Sequence, residues 1–311
     1  MPRNERPLWI RQELKRTEES KLNNMEKLHA ETFWDFKGEE YSDNKFLMAT
    51  PYPVAAILVM YLWFVLRFGP QFMKDRQPYN LKSWLLFYNA AQVIISVSLF
   101  ALGSRYLWKY GLWHSTCYCE RDGLREQLLD GSHYYFLTKV VELTDTICFV
   151  LRKRQRQVTF LHVYHHSIMV MATWAIVKYS RTDNTVFLGV INCLVHVIMY
   201  AYYGLSVFPE LHRFLWWKKY ITQMQLVQFS LMFLHIVVSH MVSECRPAYF
   251  LLASVCFNTV LFMYLFGDFY VKSYVKKYTN MSIVNAGKKI GANIASKNGI
   301  KYIVDQHRYF G

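Results

Sequence analysis

Along this 311-residue chain the apolar positions gather into blocks of about 20 residues, separated by short polar stretches. A run of that length, wound as a helix, crosses a ~30 Å hydrocarbon core. The blocks predict spans at 49–68, 83–102, 133–151, 158–177, 186–208, 217–238 and 248–271. Breakers agree with these limits. Gly69-Pro70 and the turn-forming Gln77-Pro78-Tyr79-Asn80 close the first block, and Pro209 stops the fifth. Residues 1–48 form a polar tail in which Arg3, Arg6, Arg11, Lys15 and Arg16 are balanced by Glu5, Glu13, Glu18 and Glu19. Residues 104–131 read as the longest internal loop, and 272–311 as a basic tail. The pattern therefore predicts an all-α integral membrane protein with seven transmembrane helices in one membrane domain, 49–271. No apolar h-region precedes the first span, which is then expected to act as the targeting element.

Composition sharpens this reading. Hydrophobic residues make up 53% of the chain, with 22 Phe, 23 Tyr and 9 Trp. The net charge of +14 would suit nucleic acid, but its position excludes that partner. Lys74 and Arg76, then Arg152–Arg156, then Arg213, Lys218 and Lys219, and finally the tail all fall on one side of a seven-span topology. The loops on the other side are near neutral. By the positive-inside rule the basic loops and carboxyl terminus are cytosolic, and the amino terminus and 104–131 loop are lumenal or extracellular. Cys119 and Cys245 then share the oxidising side, where a bridge between them competes with one to Cys117. The other three cysteines fall within spans, as small packing residues.

With topology assigned, the polar residues inside spans acquire a depth. His162, His165 and His166, spaced i, i+3 and i+4, share one helix face near the cytosolic end of the fourth span. Lys139, Glu142 and Asp145 lie on the third, Asn192 and His196 with Tyr200 and Tyr203 on the fifth, and Thr222, Gln225 and Gln228 on the sixth. Groups of this kind in lipid must be paired or face a cavity, and by default they mark function. One shared polar cavity in the cytosolic half satisfies them all. For Asn192, Gln225 and Gln228 alone, hydrogen bonding between helices is the simpler reading. Lys139, Glu142 and Asp145 divide evenly between orienting the histidines and joining spans. Arg152, Lys153, Arg154 and Arg156 are explained by topology, and they also stand where the mouth of the cavity would meet the phosphates of a nucleotide-bearing substrate.

These residues resemble the motifs of the ELO family of very-long-chain fatty acid elongases, from about Phe46 through the seventh span. Lys139-Val-Val-Glu142-Leu-Thr-Asp145-Thr146 is similar to its KxxExxDT motif, and His162-Val-Tyr-His165-His166, after Gln157-Val-Thr-Phe-Leu, to its HxxHH box. The segments Asn192–Tyr203 and Thr222–Gln228 resemble its third and fourth motifs. HxxHH alone occurs in membrane desaturases too; four motifs in order are far more specific.

The resemblance implies a very-long-chain 3-oxoacyl-CoA synthase of the endoplasmic reticulum membrane, although the chain ends Gln306–Gly311 rather than in a dilysine signal. It would condense a long-chain acyl-CoA with malonyl-CoA and extend the acyl chain by two carbons, without a cofactor or metal. It further implies that spans two to seven form a helical barrel around an acyl tunnel, with span one outside. The middle histidine of the box, here His165, would accept the acyl group as an acyl-imidazole, with His162, His166 and His196 around it. A neutral imidazole is a competent nucleophile, and a covalent intermediate divides one hard step into two easier ones. Loss of CO2 from malonyl-CoA leaves an enolate, for which Asn192, His196 and Gln225 are the candidate donors. Lys139, Tyr200, Tyr203 and Gln228, with the basic rim, are the candidate CoA contacts. The implied partners are the reductases and dehydratase of the elongation cycle, membrane lipid, and a second copy of the chain as a homodimer.

Two rival functions remain at this level. A di-iron desaturase or hydroxylase also uses HxxHH, but His29, His114, His133, His196, His212, His235, His240 and His307 are too scattered to complete such a site. A seven-span receptor or ion-coupled carrier fits the span count, yet has no need of three histidines beside a basic mouth.

Overall fold

The computed structural model describes residues 40–113, 123–180, 183–242 and 248–275, and among these every regular element is helical. The expected bridge between Cys119 and Cys245, with Cys117 as competitor, and both tails beyond these limits lie outside the described residues. Seven long helices follow one another. They are α1 (Tyr52–Phe72, with a π-helical turn at Phe64–Phe68), α2 (Lys82–Tyr110), α3 (Gly123–Leu151), α4 (Phe160–Tyr179), α5 (Val186–Leu205), α6 (Lys218–Val242) and α7 (Tyr249–Tyr270). All but α3 are both long and apolar enough to cross a membrane. At 29 residues α3 has the length, but Lys139, Glu142 and Asp145 interrupt its apolar character.

Two boundaries differ from the hydrophobic pattern. The stretch 104–131 reads as a loop, yet α2 continues to Tyr110 and α3 already begins at Gly123. Packing rather than lipid stabilises these extra turns. Tyr106 and Leu128 are buried against Val186 of α5 in a small separate core, and hydropathy windows are blind to a tyrosine used in this way. Gly111 ends α2 at φ +91°, a conformation suited to a residue without Cβ.

The packing order is cyclic: α2 lies on α5, α5 on α6, α6 on α7, α7 on α4, α4 on α3, and α3 on α2. Helix α1 stands outside this order. Its Val54, Leu58, Tyr61 and Val65 pack on Phe136, Leu143 and Val150 of α3 and on Val163, Val170 and Trp174 of α4. The segment leading into α1 is tied to the same two helices. Trp174 Nε1 donates to the Leu47 carbonyl at 3.0 Å, the His133 ring bonds the Phe46 carbonyl at 2.9 Å, and Lys178 donates to the Met48 carbonyl at 3.1 Å while pairing with Asp43.

The α3–α4 connection is equally defined. Arg154 N–H reaches back to Phe149 O at 2.8 Å and Lys153 N–H to Val150 O at 3.0 Å. That is a Schellman end, with Lys153 at φ +55° in the place usually taken by glycine. The left-handed conformation costs a non-glycine residue about 1–2 kcal/mol. Here the Lys153 ammonium is fastened to the Lys74 carbonyl, 3.0 Å away at the end of α1. Six residues after Lys153, Thr159 caps α4 by accepting from the His162 N–H at 3.2 Å, which sets the first turn of the histidine-bearing helix.

Candidate active site

Helices α3 and α5 are separated in the packing order by α2, so a bond between them must cross the interior of the ring. Lys139 makes that crossing. Its ammonium lies 2.8 and 3.1 Å from the two Glu142 oxygens, 3.1 Å from Asn192 Oδ1 and 3.1 Å from His196 Nε2. Lys139 and Glu142 are each 2% exposed. The i, i+3 spacing brings the pair together on α3, and i, i+4 brings Asn192 and His196 together on α5. An ammonium has only protons to offer, so His196 Nε2 is the acceptor; its Nδ1, 2.9 Å from the Asn192 carbonyl, carries the ring hydrogen. The lone pair of His196 is thus engaged. Tyr135, one turn before Lys139, completes the group by donating to Asn192 Oδ1 at 2.7 Å.

A second polar column runs from this cluster toward the α3–α4 connection. Tyr200, fully buried, donates to Asp145 at 2.9 Å and meets Tyr88 of α2 edge to face at 6.0 Å. Thr146 takes the next position, bonding His162 Nε2 at 3.0 Å and Tyr61 of α1 at 2.8 Å. The rings of His162 and His166 lie 4.3 Å apart, and His165 meets His166 edge to face at 5.6 Å.

His165 differs from its neighbours. Its imidazole makes no hydrogen bond to any described residue and packs on Phe262 of α7 at 4.9 Å. It stands on the wall of an internal cavity of about 160 Å³ to which all six ring helices contribute. Leu102, Leu128, Met169, Val190, Met232 and Phe262 make that wall largely apolar. A smaller cavity of about 60 Å³ shares Ile176, Thr185, Leu188 and Val255 with the first and extends it away from the histidines. At the opposite end, beside the α3–α4 connection, a cavity of about 460 Å³ is bounded by Lys82, Arg152, Lys153 and Arg154 together with Tyr79 and Asn80.

The arrangement brings together Lys139, Glu142, Asn192 and His196 in one cluster, and His162, His165 and His166 beside it. Gln228 and Asn192 share the cavity wall with His165. Gln225 does not; its amide lies 3.9 Å from Met199 Sδ on α5. Arg156 is exposed and off the basic cavity, and Tyr203 points into a tyrosine cluster with Tyr200 and Tyr202. Three contributors carry little sequence signal: Tyr135, Tyr88 and Asn258, the last accepting from Tyr164 at 2.8 Å. Tyr135 was within reach of a stripe argument, since it sits at i−4 from Lys139. Among the described residues no group of three or more His, Cys, Asp or Glu is placed to hold a metal ion.

Comparison with known proteins covers the same span. Residues 46–282 match the family described as ELO: GNS1/SUR4 family. The chain is 38% identical over 239 residues to very long chain fatty acid elongase 7 of Drosophila melanogaster, covering 74% of this chain and 71% of that one. It is 34% identical over 265 residues to very long chain fatty acid elongase 4 of Homo sapiens, 83% of each chain. Very long chain fatty acid elongase 1 of Homo sapiens is 37% identical over 240 residues, 74% of this chain and 84% of that one.

Proposed function

The chain belongs to the ELO (GNS1/SUR4) family, and on that footing we propose that this multi-pass membrane enzyme of fatty acid elongation catalyses the condensation step. An acyl-CoA and malonyl-CoA would give a 3-oxoacyl-CoA two carbons longer, with CO2 and CoA. The observation that carries this reading is His165: an imidazole without a hydrogen bond to any described residue, standing where an apolar cavity meets a cluster of buried hydrogen-bonding groups.

In the first half-reaction a ring nitrogen of His165 attacks the thioester carbonyl. A C–N bond forms, the C–S bond breaks, and CoA leaves as the thiol, taking the proton that the imidazole gives up. The acyl chain then occupies the apolar cavities. From His165 to Val177 on α4 is twelve residues, or ~18 Å at 1.5 Å per residue, which gives a long alkyl chain a dry bed along the helix. In the second half-reaction malonyl-CoA loses CO2, and the resulting enolate carbon attacks the acyl-imidazole. The new C–C bond displaces the imidazole, which takes up a proton from the medium. Asn192, its Oδ1 held by Lys139 and Tyr135 so that its amide N–H can donate, is the group proposed to stabilise the enolate oxygen; His196, engaged at both ring nitrogens, would join it only by exchanging its bond to Lys139. The cavity of Lys82, Arg152, Lys153 and Arg154 fits the phosphates of CoA in both halves.

This reading carries a seventh span, α3, in an endoplasmic reticulum membrane, with the basic cavity cytosolic and the amino terminus lumenal. The six-helix ring around the apolar cavities is then a barrel around the acyl site, with α1 outside.

The test uses microsomes from cells expressing the chain, radiolabelled malonyl-CoA and a panel of saturated and polyunsaturated acyl-CoAs. The expected result is a product two carbons longer with wild type and none with His165→Ala, which stays folded and membrane-inserted. Absence of incorporation across the panel, from folded wild-type protein, would remove the condensing reading. Full activity in His165→Ala would move the nucleophile, first to His166.

A further inference from the structure

The wall of the apolar cavity contains several polar side chains, and nearly all are satisfied locally. Thr173 donates to Met169 O at 2.7 Å and Thr259 to Val255 O at 2.7 Å. The Asn258 amide donates to Ser254 O at 2.8 Å, while its oxygen accepts from Tyr164. Gln228 is the exception. Its Nε2 faces Met232 Sδ at 3.8 Å, and its Oε1 is buried without a hydrogen-bond partner although the residue is only 3% exposed. An amide oxygen shut away from water in this state is costly, of the order of a lost hydrogen bond.

The position of that oxygen is informative. Gln225 of α6 meets Met199 of α5 and His235 meets Asn184 just before α5, which sets Gln228 opposite the turn that holds Val195 and His196. The neighbouring Phe229 packs on Phe262 at 5.6 Å, and Phe262 is the ring against which His165 lies. One cavity therefore holds an imidazole with no hydrogen-bond partner among the described residues and a carbonyl without a donor. An attacking imidazole needs its lone pair on one nitrogen and its hydrogen on the other, and a fixed acceptor for that hydrogen selects the tautomer.

We infer that Gln228 is a positioning residue for His165, its carbonyl accepting the ring N–H so that the other nitrogen faces the thioester. This rests on the proposal that His165 is the acyl acceptor. The end torsions of both side chains are soft, and rotation about them is the motion by which the bond would form. As the imidazole becomes acylated it gains positive charge, and a hydrogen bond to the same carbonyl strengthens. No proton passes to Gln228; it holds the N–H until CoA takes the proton away. The assignment replaces the CoA contact that the sequence suggests for this residue.

The inference is tested on purified full-length protein by two half-reactions. CoA release from acyl-CoA without malonyl-CoA reads acylation, and product formation with malonyl-CoA reads the whole cycle. Gln228→Met keeps the volume and removes the acceptor; Gln228→Glu keeps an acceptor. The expected result for Gln228→Met is an acylation rate lower by about ten-fold, the weight of one hydrogen bond to a reacting group, with KM for both thioesters unchanged. Gln228→Glu should retain most of the acylation rate. A raised KM with unaltered acylation, no effect at all, or equal losses in the two variants would each overturn the inference, making Gln228 a substrate contact, a bystander or a structural residue respectively. Wild-type protein that neither releases CoA nor incorporates malonyl units would instead count against the condensing function, and the two failures are told apart by that control.

Discussion

Lys139 and Glu142 form a buried ion pair inside a helix turn, and the pair is shared with Asn192 and His196 of α5, one helix removed around the ring. Removing one member of such a pair strands the other in a medium without water, a loss typically of about 3–5 kcal/mol. Lys139→Met is therefore expected to lower both yield and melting temperature in detergent. The double variant Lys139→Met/Glu142→Gln should recover most of the melting temperature, because no lone charge remains, and recover none of the activity. Recovery of both would mean that the cluster only joins α3 to α5. These residues are legible in the sequence because a charge inside an apolar block is rare enough to stand out. Thr146 stands out only as the last residue of the KxxExxDT-like motif and Tyr135 only by its stripe position; Tyr88 is not legible, since tyrosine occurs throughout this chain and a hydroxyl acquires meaning only through the partner it meets. The orphaned oxygen of Gln228 is a property of packing, invisible in one dimension.

At the level of elements, apolar block length locates α1, α2 and α4 to α7 because lipid thickness imposes it. The same measure misjudges α2 and α3 where they leave the apolar blocks, and there contacts such as Tyr106 with Leu128 decide. The α2–α5 seam shows what closeness requires. A Cβ at Gly103 would stand 2.4 Å from Val190 Cγ2, so the helices approach over a residue with no side chain. Small residues commonly permit such contact between membrane helices. Gly103→Val is expected to destabilise the protein by about 1–3 kcal/mol through overpacking. Pairing it with Val190→Ala should return much of the loss in a detergent melt. If the single variant melts like wild type, α2 and α5 are free to move apart and the seam is not tight.

On the scale of the whole molecule, three features line up along one axis: a basic cavity, a belt of histidines with buried hydrogen bonds, and two joined apolar cavities. A substrate with phosphates at one end and an alkyl chain at the other matches that order of surfaces. The cyclic order of helices could not be read from hydropathy, because every block is apolar and no block says which neighbour it prefers.

The one helix that falls short of the apolar criterion, α3, also has consequences before the fold is complete. Two of its buried polar residues find partners on α5, 53 residues later for Lys139 with Asn192 and 55 for Asp145 with Tyr200. At synthesis rates of roughly 5–20 residues per second, α3 leaves the ribosome several seconds before those partners exist. Each charge at the centre of a nascent span opposes its insertion by about 2.5–3.5 kcal/mol. Helix α3 is therefore expected to enter the bilayer late or reversibly, as part of a group rather than alone. Chains truncated after α4 and carrying a glycosylation reporter should show α3 only partly inserted, and chains extended through α5 should show it fully so. Equal insertion at both lengths would mean that the Lys139–Glu142 pair already makes α3 acceptable to lipid. Otherwise the groups proposed for catalysis also set the order in which this membrane protein is assembled.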